Sequence, residues 1–402
     1  MNYLRITTLL LCLILISCVS GDDPGKRKKN YPTYWNDLAL FLSGQSIEAD
    51  NRFIKISEKP KYKLYAQSIN KSWKNIETRH IQYVNELTAE FLPEKNKYNT
   101  ALYPLSGADF LNLYLFCPEA PRYIMIGLEI PGFIYDPINL KTQDFENALF
   151  LLNASVNQIA NQNYFTSILM KSKFSNKVFP GVAPVLMIFL SRLGFYIDDL
   201  QRITLNEKGE IEEWKEANDT IEAPLYSGIK FIFHKPGQDR FRELIFLKMY
   251  INENSHLSSS REGLFFKKQE RLNLVMKSAI YLMHMEKFSD FVNTILSKTD
   301  MVAEDDSGIP IRFFPKESWD IKVFGKYLRK LSIRYIPSEA AMFKSETGNV
   351  RSESLKFSQE DLKEIYEMEA RELKFKYGYG GASGLQYSNF ILLRRKYLIN
   401  SK

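Results

Sequence analysis

The sequence predicts an α/β fold, and three observations carry that expectation. Apolar runs of strand length, such as residues 123–128, alternate with longer segments whose apolar residues recur every three or four positions. A strand that is apolar at every position belongs in a sheet covered on both faces. No period of 20–50 residues repeats, which argues against a solenoid or propeller.

The chain starts with one positive charge, Arg5, followed by a largely apolar run from Ile6 to Ile16. That run is too short to cross a bilayer, which takes about 20 apolar residues. It has the length of a signal-peptide core. It ends in Leu15, Ile16, Ser17 and Cys18, a tetrad that resembles the bacterial lipobox. The resemblance implies a lipoprotein signal peptide over 1–17, cleavage before Cys18, and a diacylglycerol on the Cys18 sulfur. The expected place is then the cell envelope, outside the cytoplasm, with a lipid anchor in a bacterial membrane. Residues 18–33, rich in Gly, Asp, Lys and Pro, read as a flexible tether with a basic cluster, Lys26 to Lys29.

Residues 34–98 read as a helical lead-in. Trp35, Leu38 and Phe41, then Tyr65, Ile69, Trp73, Ile76, Val84 and Leu87, recur at helical spacing. Residues 99–402 read as the α/β domain. There Ala101 to Leu105 is a short strand, Ser106 to Asp109 a small-residue turn, Phe110 to Phe116 a helix, and Tyr123 to Leu128 a strand closed by Glu129. Strand, tight turn, helix, strand and acid is the opening of a Rossmann-type unit. Lys141–Lys171 and Val182–Leu193 read as helices, the latter stopped by Gly194, and Phe195–Leu205 as a strand. Gly228–His234 and Phe241–Asn252 flank a turn at Lys235–Gln238 and read as an antiparallel hairpin. Leu272–Met285, Phe288–Leu296 and Gln359–Leu373 read as helices, Ile309–Phe314 and Tyr387–Leu393 as strands, and 252–270 and 343–358 as loops. The whole is a Rossmann-like mixed sheet with flanking helices, an antiparallel hairpin and a helical N-terminal addition.

Composition narrows the function classes. With 45 % hydrophobic and 14 % aromatic residues, the chain can build a large core. Its net charge is +7, or +6 once Arg5 leaves with the signal, and both signs are well mixed. That balance gives little reason to expect nucleic acid as a partner. Of three cysteines, Cys12 lies in the signal and Cys18 in the lipobox, so Cys117 is left as a small buried hydrophobe. Without an internal disulfide, stability must come from burial.

Several phrases resemble an uncharacterised family of exported bacterial proteins: Tyr103 to Asp109, Tyr123 to Glu129, Tyr281 to His284, Asp305 to Pro310, and Ser388-Asn389 before an apolar run. The first two phrases are also similar to the cofactor-binding opening of Rossmann-like methyltransferases. In those enzymes a Gly-rich turn approaches the cofactor and an acid after the second strand binds its ribose. Gly107 and Glu129 stand at the matching places. This turn has one glycine where such enzymes have two or three, and an exported chain would not normally meet S-adenosylmethionine. The resemblance therefore implies the scaffold and no cofactor.

The candidate ligand-binding residues follow from these placements. Ser106, Gly107 and Asp109 would sit at a pocket mouth beyond a strand end, where open α/β sheets bind ligands and helix N–H groups favour anions. The structural reading of the same residues is a capping box, with Ser106 as N-cap and Asp109 reaching back. Glu129 ends an apolar strand, where a charge needs a partner or a ligand. Asp305 and Asp306 form a turn with Ser307 and Gly308; Ile309 and Pro310 interrupt calcium-loop spacing, and no metal is expected. His80, His234, His256 and His284 show no i, i+4 pairing, and His284 reads as a packing residue. There is no G-x-S-x-G elbow. The favoured reading is an anchored binding or interaction module with a membrane on one side and an envelope glycan or protein as partner. The alternative is a hydrolase-like envelope enzyme with its pocket near Ser106, Asp109 and Glu129.

Overall fold

A computed structural model describes residues 34–92, 99–134, 142–162, 178–214, 227–251, 259–327 and 359–400. The signal, the tether with Cys18 and the expected loop at 343–358 lie outside the described residues.

Ten strands form one mixed sheet: β1 Thr100–Tyr103, β2 Arg122–Gly127, β3 Tyr196–Leu205, β4 Ile211–Glu213, β5 Gly228–His234, β6 Phe241–Lys248, β7 Leu272–Met276, β8 Thr299–Glu304, β9 Trp319–Gly325 and β10 Asn389–Arg395. Their spatial order is β4-β3-β5-β6-β2-β1-β7-β8-β10-β9. The central five, β6, β2, β1, β7 and β8, are mutually parallel. Counted along the chain they stand 3-2-1-4-5, the core order of the doubly wound sheet. On one side, β5 pairs antiparallel with β6 and β3 with β5. On the other, β10 is inserted antiparallel between β8 and β9. The chain reverses its direction of growth at β1, between β2 and β7, and this is the switch point of the sheet.

Side chains of the central strands alternate between two apolar layers, as the pleat requires. Ala101, Tyr103, Tyr123 and Met125 enter one core, while Leu102, Ile124, Ile126 and Leu274 enter the other. The first layer is covered by α1 (Tyr34–Leu42), α3 (Pro60–Ile76), α4 (Gln82–Phe91), α5 (Phe110–Phe116), α6 (Thr142–Gln162) and α7 (Ala183–Arg192). The second is covered by α8 (Arg261–Lys267), α9 (Ser289–Leu296) and α10 (Glu360–Glu369). Short α2 (Ile54–Ser57) precedes α3, and the π-turn Glu77–Ile81 joins α3 to α4. Burying apolar side chains on both faces is what holds this sheet, at about 25 cal/mol per Å² removed from water.

Three expectations are corrected. Leu272–Met285 is not a helix: Leu272–Met276 is central strand β7, and a short 3-10 turn, Leu282–His284, follows. A short, mostly apolar run fits either period, and burial between two parallel neighbours decides it. Ile309–Phe314 is not a strand but a turn leading into a 3-10 helix at Ile311–Phe313, because Pro310 cannot donate to a ladder. Within 252–270, Arg261–Lys267 is helix α8, started by Ser260, whose hydroxyl accepts from the Gly263 amide. Strands β4, β8 and β9 had no counterpart in the sequence reading.

Candidate binding site at the sheet switch

The carboxyl ends of β1, β2, β7 and β8 form one edge, and every candidate residue lies there. Ser106, Gly107 and Asp109 follow β1, Glu129 follows β2, and Asp305 and Asp306 follow β8. The segment after β7 supplies Lys277, Ser278 and Tyr281, which the sequence reading placed inside a helix.

Asp109, not Ser106, caps α5. The Asp109 carboxylate accepts from the Asn112 amide at 3.3 Å, so the expected capping box is corrected. Ser106 instead binds the neighbouring strand: its amide donates to the Ile126 carbonyl at 2.8 Å. Its hydroxyl lies 3.1 and 3.2 Å from the Gly107 and Ile126 carbonyl oxygens. The turn can close because Gly107 takes φ +53°, open to glycine without strain.

Asp109 is the hub of a buried network. Its oxygens receive the Asn112 side-chain amide at 2.9 Å and the Tyr103 hydroxyl at 3.3 Å, and Lys277 Nζ lies 2.7 Å away. Asn112 spends its amide hydrogens on Asp109, so its oxygen accepts from His80 Nε2 at 2.7 Å. Burial, with the Lys277 charge nearby, lowers the His80 pKa to about 4 and keeps the ring neutral.

Lys277 and Asp109 are each 2 % exposed. Their contact is a buried ion pair across the switch. Beside it, Ser278 Oγ is buried with no hydrogen-bond partner among the described residues. Buried polar atoms are almost always satisfied, and exceptions call for a reason.

The backbone at this edge is strained as well. Four non-glycine residues with positive φ occur among the described residues: Leu105 (57°), Ser278 (58°), Ile280 (53°) and Tyr281 (57°). All four follow β1 or β7, on either side of the switch. Each left-handed residue costs about 1–3 kcal/mol, and such strain clusters at functional sites.

The two aspartates after β8 brace that segment. Asp305 Oδ1 accepts from the Ser278 amide at 3.0 Å and the Ser307 hydroxyl at 2.9 Å. Asp306 Oδ2 accepts the Tyr281 hydroxyl at 3.1 Å, and the Asp306 amide donates to Asn389 on β10 at 2.8 Å. Burial next to Asp305 pushes the Asp306 pKa up to about 7. Glu304, also buried, is raised well above its usual range. Glu129 is 9 % exposed and accepts from the Leu128 amide at 3.1 Å.

Of the other histidines, His256 lies outside the described residues, and His284 packs edge-on against Tyr281 with ring centroids 5.1 Å apart. His234 ends β5 at the opposite edge, with Nδ1 2.7 Å from Asp198. His284 is buried in the 3-10 turn, where desolvation lowers its pKa to about 3. Cys117 is buried and its thiol is pushed far up. Among the described residues, no group of three His, Cys, Asp or Glu is arranged to hold a metal ion. No described helix is long and apolar enough to cross a membrane.

Lys277 was legible in principle. Like Glu129, it is a charge directly after an apolar strand, and only the helical reading of 272–285 concealed it. Compared with known protein families and with curated proteins, the chain finds no match.

Proposed function

We propose that this chain is a lipid-anchored binding module of the bacterial cell envelope that holds a small acidic ligand at the sheet switch. The observation that supports this reading is the buried Ser278 Oγ, without a hydrogen-bond partner among the described residues, beside the Lys277–Asp109 ion pair and strained backbone. An unsatisfied buried donor costs about 1–3 kcal/mol. A ligand acid accepting from Lys277 and Ser278 would recover that cost. A sugar acid of an envelope glycan has the right chemistry: a carboxylate for Lys277, and hydroxyls for Glu129, at the place where the methyltransferase resemblance implies a ribose.

The test is calorimetric titration of the full chain with acidic glycan fragments and their neutral counterparts. Acidic fragments should bind, and Lys277→Met/Asp109→Asn should abolish that binding while retaining a cooperative melt. Equal binding of neutral fragments, or of the double variant, would overturn the reading.

The hydrolase alternative has less support. The Ser106 hydroxyl lies against backbone carbonyls and has no imidazole partner among the described residues. A serine nucleophile needs a base within hydrogen-bond reach.

A further inference from the structure

We propose that the outer face of the α3/α6 pair is a membrane-docking surface that lays the anchored body against anionic lipid. Helices α3 and α6 run side by side, joined by an ion pair between Lys61 and Glu146 and by a hydrogen bond from Asn153 to Ser68 at 2.9 Å. Between these contacts stand Leu64 and Phe150, 65 % and 71 % exposed. Helical spacing puts Leu64 on the face of Lys61 and Ser68, and Phe150 on the face of Glu146 and Asn153, and large apolar side chains this bare along one seam need a reason.

The positive charge lies on the α3 side, since α6 carries Asp144 and Glu146 and no Lys or Arg. Helix α3 carries Lys61, Lys63, Lys71 and Lys74, all exposed, and no acidic residue. Lys55 and Lys59, also exposed, lie just before it. Lys61 faces Glu146 and Lys74 lies 4.0 Å from Glu77, while Lys63 and Lys71 have no ion-pair partner among the described residues. Helical spacing puts Lys71 two turns beyond Leu64 on the same face. The opposite face of α3 is spent inward: Tyr62, Tyr65, Ile69, Trp73 and Ile76 are buried. A helix with a basic outer face around a bare apolar residue matches an interfacial membrane contact.

Position agrees with charge. The described chain begins at Tyr34, directly after the tether, and the Arg52 guanidinium stacks 5.0 Å from the Tyr34 ring, just before α2 and α3. Tyr62 on α3 donates to the Phe41 carbonyl of α1 at 2.7 Å. A lipid on Cys18 would therefore keep this corner of the molecule within a tether's reach of the bilayer. The inference rests on the anchor reading for that proximity, and the experiment separates the two.

The anchored, lipidated chain is reconstituted in vesicles with a polarity-sensitive dye on Phe150→Cys or, as a control, on Met368→Cys. Met368 is 69 % exposed on α10, across the sheet. Cys18 is taken up by the lipid and Cys117 is buried, so the dye reports one site. Flotation reads the anchor, and quenching by brominated acyl chains reads the face. Expected is about twofold or greater quenching at 150 relative to 368 on phosphatidylglycerol vesicles, lost with Lys63→Glu/Lys71→Glu. Flotation with equal quenching at both sites overturns the docking face and leaves the anchor. Neither flotation nor quenching overturns both.

Discussion

Lys277 reaches from the end of β7 to Asp109 at the start of α5, closing 2.7 Å across the sheet switch with both side chains buried. Removing one partner leaves the other charge stranded. Lys277→Met should destabilise the fold by about 3–5 kcal/mol in urea unfolding. Adding Asp109→Asn should recover most of that loss, because Asn also caps a helix. Equal losses in the single and double variants would show that the pair is not coupled.

Two glycines should resist substitution for different reasons. At Gly107, φ +53° makes a β-branched replacement costly, so Gly107→Val should lose about 2 kcal/mol or more. At Gly132 a Cβ would meet the Pro180 carbonyl oxygen at 1.7 Å, so Gly132→Ala should lose about 3 kcal/mol or more through overpacking. Gly194 is the contrast: a Cβ there would meet no described atom within 4 Å, and only its φ of +79° opposes Ala. Thermal melts of the three variants should rank in that sense, with Gly132→Ala lowest.

Asp306 gives the fold a pH signature. Its folded pKa of about 7 lies above the unfolded value of about 3.9. Between those values the folded chain binds a proton that the unfolded chain releases, so this contribution to stability is full below about pH 4 and falls up to about pH 7. His80 and His284 have the opposite sign: their lowered values make stability rise with pH up to about 6.5. Comparing Asp306→Asn with the parent cancels the histidines. The variant should gain relative stability from pH 4 to 7 and level off above. A difference independent of pH would mean that Asp306 is ionised at pH 5 in the folded chain.

Cys18→Ala should abolish lipid labelling and leave an uncleaved or soluble chain. Continued incorporation of labelled fatty acid into that variant would overturn the anchor proposal.

The sequence carried the α/β class because β2 is apolar from Tyr123 on and alternates with amphipathic helical segments. It also placed Ser106, Gly107 and Asp109 after a strand and Glu129 at the end of one, while Asp305 and Asp306 read only as a turn with no strand before it; the fold brings all six to one edge. It failed where periodicity is silent. Leu272–Met276 is apolar throughout apart from Asn273, a pattern that a buried strand and a buried helix share. Thr299–Glu304 contains Asp300 and Glu304, yet every residue of it is buried, because Arg271 and Asn99 take up Asp300 and the Ile309 amide takes up Glu304. Such partners are distant in sequence and leave no local trace. The choice of Asp109 over Ser106 as cap depends likewise on Lys277 and Tyr103, which only the tertiary fold delivers.

The insertion of β10 between β8 and β9 bears on when the molecule can fold. Strand β9 lies at the sheet edge; among the described residues β10 is its one neighbouring strand, and a single bridge joins Phe324 to Arg371. Residues 319–325 therefore stay outside the sheet until residues 389–395 have emerged, and the loop to be closed is long and slow to form. The edge made by β10 and β9 is thus the last part of the sheet to close, since strands β1 to β8 all precede residue 305.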